Sequence, residues 1–359
     1  MRAVTLALQQ KNAKLPLDTD GAVEMVKRAI DKRPKEFRLH VRTAGWQENA
    51  FVLLDRVIQF RPAALKIYPP TSSGPGGFVC SAERGTLESW KAAVAGAAQQ
   101  STVLTLMISA AFAAPLLSLV NRPPFILNLF GKAKSGKTTA LLAAASVIGI
   151  SEEDALPNWN ATDAGLLQIF CAFNDSIVPI NELGLLKGKK TDRGERVREI
   201  IYAFGEGRDR FRHTASSFAE SGNRSPFRGI LLSTSESSFH ELRAGVRDDG
   251  ELARAHDVPV LLGGSNNIFD RLSDPLSQKK ARLKLNELRR SITNNVGVAF
   301  DPYLKWIAQD RDGIANKVRA YVKILRSKSH LCTDDGVLHH SADNFGLCFA
   351  GAALAIEAG

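Results

Sequence analysis

The sequence predicts an α/β chain: a mostly parallel sheet covered by helices, preceded by a small mixed α+β region and followed by a helical C-terminal region. Three observations carry this expectation. Short apolar runs alternate with helical patterns through the middle of the chain: FILNLF at Phe125 to Phe130, SIVPI at Ser176 to Ile180, GILLS at Gly229 to Ser233 and VPVLL at Val258 to Leu262. Between them lie the helical ALLAAASVIG, Ala164 to Phe173 and Glu195 to Phe204. The first run leads straight into a glycine-rich loop and a helix, and from about Phe300 the pattern is helical to the end.

At 359 residues the chain exceeds what one core usually holds, so three regions are expected: 1–82, a core at 83–299, and a helical lid at 300–359. In the first, AVEMVKRAI (Ala22 to Ile30) has helical spacing and FVLLDRVIQF (Phe51 to Phe60) reads as one or two short strands. PPTSSGPGGF, from Pro69, is a loop and a soft boundary. GTLESWKAAVAGAA then opens a helix with Thr86 as cap and Glu88 in its first turn.

Residues Ala93 to Asn121 carry no charge and are long enough to span a bilayer. Ser101, Thr102, Thr105, Ser109, Ser118 and Pro115 argue instead for a buried helix, and no membrane partner is expected. With 44% hydrophobic and 23% charged residues the composition is that of a globular protein, not a disordered one. Lys and Arg number 47 against 37 Asp and Glu, a net charge of +10 that favours a polyanionic partner. Cys80, Cys171, Cys332 and Cys348 are scattered with no CxxC pair, which suggests neither a zinc site nor a disulfide framework. Met1 to Gln10 has no signal-peptide pattern, so a cytoplasmic location is expected.

Gly131 to Thr138 reads GKAKSGKT, a full G-x-x-x-x-G-K-[ST] match set between a predicted strand and a predicted helix, as in P-loop NTPases. Gly131 and Gly136 let the backbone of Lys132, Ala133, Lys134 and Ser135 curl so that successive amides face phosphates, and the helix adds its positive end. Lys137 is expected to reach the β and γ phosphates and Thr138 to ligate magnesium, with Thr139 completing the nucleotide site. ATP and Mg²⁺ are the implied cofactors.

A carboxylate at the end of a neighbouring strand is the second half of such a site, and SIVPINELG supplies Glu182 as the base for an attacking water. Asn181 stands where an Asp usually supports the metal, so Thr138, Asn181 and Glu182 are the metal candidates, and Pro179 removes an amide that a central strand would use. Ser233 and Thr234, at the end of another apolar run, are candidate γ-phosphate sensors as well as ordinary turn formers. KGKKTDRGERVREIIYAFGEGRDRFRH is the most basic stretch. Lys187, Lys189, Lys190, Arg208, Arg210 and Arg212 are candidate nucleic-acid contacts there, interleaved with Tyr202, Phe204 and Phe211 as stacking or packing groups.

With those residues in hand, the chain resembles the phage, plasmid and mobile-element replication proteins known as domain of unknown function 927. The resemblance runs from GWQENAFVLLDRVI to the last residue. It rests most specifically on GKAKSGKTTALLAAASVIG, NWNATDAGLLQIFCAFND and INELG, followed in family order by IIYAFGEGRDR, LLSTSE, ARAHDVP and ADNFGLCFAGAALAIEAG. It implies a ring-shaped AAA+ or MCM-like helicase, a homo-oligomer and specifically a hexamer, loading on single-stranded or origin DNA beside a primase or other replication proteins. It also implies that Arg254, ahead of Asp257, Val258 and Pro259, is an arginine finger acting on a neighbouring subunit, where a structural ion pair is the alternative. Trp159, Asn160, Thr162 and Asp163 match a family turn, in which Thr162 or Asp163 is expected to cap the next helix. The family's Leu-Asp-Glu is Ile180, Asn181, Glu182 here, and its pattern runs on past Gly359, so the C-terminal region reads as truncated.

Three readings follow: an ATP-driven DNA helicase or translocase; an ATP-binding switch or loader with weak hydrolysis, favoured by Asn181; and a small-molecule kinase, which would work as a monomer.

Overall fold

The computed structural model describes residues 8, 15–16, 18–31, 38–41, 43–61, 66–69, 82–186, 190–207, 227–274, 276–329 and 335–359. The chain divides into two compact units, Met1–Leu39 with Ala63–Ile67, and His40–Pro62 with Tyr68–Gly359. The smaller holds helix α1 (Thr19–Asp31). The Asp18 carboxylate accepts from Gly21 N at 2.5 Å and so caps its first turn. Among its described side chains Ala22 and Val26, one turn apart, are buried. Strand β1 (Arg38–His40) follows.

The larger unit begins with an antiparallel meander of β2 (Gly45–Trp46), β3 (Ala50–Val52) and β4 (Val57–Gln59), with Trp46 opposite Phe51 and Phe51 opposite Ile58. FVLLDRVIQF is therefore two strands. Strand β5 (Lys66–Tyr68), which like β1 lies mostly in the smaller unit, pairs with β1. The Phe51 ring meets Phe300 edge-on at 5.7 Å, and Arg56 pairs with Asp301 at 2.9 Å. Phe51, Leu53 and Ile58 thus belong to the main core, and the division of the chain falls inside the 1–82 region instead of at its end.

Helix α2 (87–98) carries the expected cap: Ser89 N donates to Thr86 Oγ1 at 3.1 Å and Thr86 N to Ser89 Oγ at 2.8 Å. The uncharged stretch after it is α3 (Thr102–Ala113), capped by Ser101, then α4 (Leu116–Leu119) beyond Pro115. At about 18 Å, α3 is far shorter than a ~30 Å bilayer core, and among the described residues no helix is long and apolar enough to cross a membrane. Its Thr105 and Ser109 hydroxyls are spent on backbone carbonyls.

The central sheet has four parallel strands. Strand β6 (Phe125–Phe130) runs into the glycine loop and α5 (Lys137–Val147); α6 (Asp163–Ala172) leads to β7 (Ser176–Ile180), α7 (Lys190–Gly205) to β8 (Gly229–Ser235), and the short α8 (Phe239–Leu242) and α9 (Asp249–Arg254) to β9 (Ala255–Pro259). The order is β7-β8-β6-β9. Side chains alternate between faces along a strand, yet every residue of β7 and β8 is buried, so both faces are covered. Pro179 sits in β7, an edge strand of this sheet, where a missing amide is tolerated.

The last strand lies at Ala255–Pro259, three residues earlier than VPVLL suggests. Its polar half belongs to the sheet because His256 and Asp257 find partners inside, which an apolar-run criterion cannot see. Helix α10 (Gln278–Asn294) buries Ala281, Leu285, Leu288 and Ile292 at helical spacing, so the helical region begins before Phe300. Helices α11 (Phe300–Gln309), α12 (Arg311–Lys328) and α13 (Gly336–Glu357) complete the chain.

Candidate functional site

Because all four strands are parallel, the segments after Phe130, Ile180, Ser235 and Pro259 emerge at one sheet edge, on either side of a reversal in strand order. The glycine loop is built there. Gly131 and Gly136 take φ of 150° and 107°, and Lys134 a φ of 63°. A Cβ at Gly136 would also press on Leu285 and Ile268, so the loop lies against α10. Helix α5 starts at Lys137 with no side-chain cap, so no side chain takes up the amides of its first turn.

The Lys137 Nζ donates to the carbonyls of Gly131 at 2.7 Å and Lys132 at 2.9 Å, bending back over its own loop. Burial lowers its pKa from the ordinary lysine value, and the charges of Glu236 and Glu182 oppose that. Ser135 is buried in the loop, and its hydroxyl has no hydrogen-bond partner. Thr138 is half-buried; Thr139 is buried, and its Oγ1 accepts from Arg289 Nε of α10 at 2.9 Å.

At the end of β7, Glu182 adopts a left-handed backbone, φ 61° and ψ 71°, a conformation that costs a non-glycine residue about 1 kcal/mol or more. The Thr234 hydroxyl holds it there: it accepts from Glu182 N at 3.0 Å and donates to Asn181 Oδ1 at 2.7 Å. With Asn181 Oδ1 committed, its Nδ2 faces Glu153 Oε1 at 3.5 Å, and the other Glu153 oxygen pairs with Arg289 at 3.2 Å. A cavity of about 190 Å³ next to Glu182 is lined by Arg193, Ser235 and Glu236 together with the apolar Leu186, Val197 and Leu242.

Lys137, Thr138, Asn181, Glu182 and Thr234 therefore gather at one edge. Ser233 does not join them: it is fully buried, and its hydroxyl accepts from the Trp159 indole at 3.2 Å. Trp159 thereby gains a role as a prop behind the β8 strand end. Thr162 caps α6 as expected, accepting from Gly165 N at 3.2 Å, while Asp163 pairs with Arg196 at 2.9 Å.

Arg254 ends α9 immediately before β9, at the opposite edge of the sheet from the loop. Five strand residues at about 3.3 Å each put it roughly 17 Å from the glycine loop of its own chain. Its guanidinium lies 5.1 Å from the Tyr202 ring centroid and donates to Gly250 O at 2.8 Å. Phe204 is fully buried, packed against Phe170 and Phe227, and is a core residue rather than a stacking platform. Lys187, Lys189, Arg208, Arg210, Phe211 and Arg212 lie outside the described residues. So do Cys80 and Cys332, whereas Cys348 is buried with its thiol pushed up to about 12.

Glu153 and Arg289 escape a motif search because each comes from a segment remote in sequence, whereas Glu236 directly follows the strand that carries Thr234. The helical spacing of Ala281, Leu285, Leu288 and Ile292 is the signal that could have found the helix presenting Arg289.

The family described as Domain of unknown function (DUF927) matches residues 17–221. No curated protein matches the chain. Among solved structures it is similar to one described as "SCCmec type IV Cch - active helicase", with a TM-score of 0.70 and 14% identity over 99% of this chain. The chain spans 63% of the length of that protein. At that identity the likeness is one of fold.

Proposed function

The chain belongs to the family of the domain of unknown function 927, and on that premise we propose that it is an ATP-hydrolysing DNA helicase or translocase of a mobile-element replication module. One observation carries the reading: Lys137, bent over a glycine loop, shares a sheet edge with Glu182, whose backbone is pinned through Thr234. In this reading the loop 131–136 is a P-loop, Lys137 exchanges the carbonyls of Gly131 and Lys132 for the β and γ phosphates, and Glu182 accepts the proton of the attacking water.

The residues present fit a magnesium nucleotide. Ser135 Oγ is buried without a partner, α5 lacks a side-chain cap, and among the described residues no group of three or more His, Cys, Asp or Glu could cage a metal alone. A sparse donor set suits a cation that arrives on phosphates. Thr138 and Glu182, with Asn181, would hold Mg²⁺, which when bound neutralises phosphate charge.

Arg254 is too far from its own loop to act there, so its proposed role as an arginine finger requires a neighbouring copy, and a hexameric ring supplies one. Single-stranded or origin DNA is the proposed partner, met by basic residues that include Arg208, Arg210 and Arg212, with a primase or other replication proteins nearby in the cytoplasm. The solved structure with the same fold is described as an active helicase, which supports this reading. A second reading, an ATP-dependent switch or loader, is favoured by Asn181, which brings no charge to the metal side.

ATP hydrolysis with and without single-stranded DNA, beside Lys137→Ala and Glu182→Gln, tests the proposal. DNA-stimulated turnover lost in both variants is expected. Tight ATP binding by the unaltered chain without turnover would favour the switch.

A further inference from the structure

We propose that Glu153 supplies, from the turn after α5, the carboxylate charge on the metal side of the site that Asn181 at the end of β7 does not carry. The proposal rests on the nucleotide reading above and names a further residue for it. The amide of Asn181 is oriented by its neighbours: Thr234 donates to Oδ1, so Nδ2 is turned to Glu153. Where a strand-end Asp would place a negative charge, this chain places a neutral amide with a carboxylate directly behind it. An Asp at 181 would instead set two carboxylates against each other.

The position of Glu153 is built in. The turn Glu153–Ala155 is tied to β7 by Asn181 N donating to Pro157 O at 2.9 Å and by a parallel bridge between Asn158 and Asn181. Arg289 spans the remaining distance to the loop helix, bonding Glu153 with one nitrogen and Thr139, the residue after Thr138, with another. The Glu153 side chain is 49% exposed and its contact with Asn181 is long. Turning it toward a cation at this edge would therefore cost little desolvation. Glu152 instead faces Arg84 and Ser151, so Glu153 is distinguished from that acidic neighbour by contact and not by charge alone.

The competing account makes Glu153 only the counter-ion of Arg289, and a charge-relocation experiment separates the two. Binding of mant-ATP is measured in EDTA, and its response to Mg²⁺ is then titrated, for the full chain and for Glu153→Gln, Arg289→Gln and Glu153→Gln with Asn181→Asp. The expected result is a Mg²⁺ midpoint raised about tenfold or more by Glu153→Gln and returned to within about threefold by adding Asn181→Asp, each midpoint read against the same variant's own binding in EDTA. A midpoint unmoved by Glu153→Gln overturns the proposal. So does a shift that Arg289→Gln reproduces and Asn181→Asp does not reverse. An unaltered chain that binds no mant-ATP overturns the nucleotide reading itself, and this inference with it.

Discussion

The Asn128 amide, in the middle of β6, donates to the Asp257 carboxylate on the adjoining strand β9 at 2.9 Å. That carboxylate also accepts from Phe239 N and His240 N at the start of α8 and pairs with the buried Arg247 at 3.3 Å. One side chain thus joins two strands and the start of a helix. Asp257→Ala would leave the Arg247 charge buried without its carboxylate, for which about 3–5 kcal/mol of destabilisation is expected. Urea denaturation measures it, and a loss below about 1 kcal/mol would show that the joint is redundant.

Thr234 is the hinge between structure and chemistry. Thr234→Val keeps the shape but strips the hydroxyl from both Asn181 Oδ1 and Glu182 N. Leaving these groups unpaired costs about 1–3 kcal/mol, which, if felt in the transition state alone, is roughly a 5- to 150-fold fall in turnover. Nucleotide affinity should change little, since Thr234 does not bond to the glycine loop. Single-turnover hydrolysis beside equilibrium binding of ATP separates the two, and an equal loss in both would place Thr234 in binding.

Much of this edge was legible in the sequence because the residues that form it follow apolar runs: Gly131 after FILNLF, Glu182 after SIVPI, Thr234 directly after GILLS. A parallel sheet turns those separate positions into neighbours, and the strand-formers before each one announce the sheet. Ser233 and Thr234 show the limit of such reading. Adjacent strand residues point to opposite faces, so only one could hold Asn181 and Glu182; the other is propped by Trp159. Glu153, Arg289 and Asp257 were not legible because their partners are set by tertiary packing between segments with no shared pattern. Residues 40–62 joined the larger unit for the same reason, through Phe51 on Phe300.

His256 should make stability depend on pH. It is buried between Phe125 and Phe345, with Asn344 Nδ2 at 2.9 Å from its Nε2, and desolvation, helped by the Arg247 charge, pushes its pKa down to about 4. The unfolded chain, with a histidine pKa near 6.5, binds the proton more readily, so this contribution is full above about pH 6.5 and is lost as pH falls toward 4. Between pH 7 and 5 the loss is about 2 kcal/mol. Urea midpoints at the two pH values should converge in His256→Gln, and an unchanged slope in that variant would assign the pH dependence to other groups.

Arg254 offers a test of action between copies, because its seat is specified from one chain while its proposed target lies on another. The side chain runs over Gly205 and under Tyr202; a Cβ at Gly205 would overlap Arg254 Cδ. Arg254→Ala is expected to lower ATP turnover by about 10³-fold or more while leaving ATP binding intact, as for a charge that acts only in the transition state. Gly205→Ala should lower turnover in the same direction by displacing the guanidinium without removing it. Mixing Arg254→Ala with Lys137→Ala decides the geometry. Assemblies containing both recover turnover where an intact arginine of one copy faces an intact loop of the next, whereas a finger acting within its own chain would leave every mixture inactive.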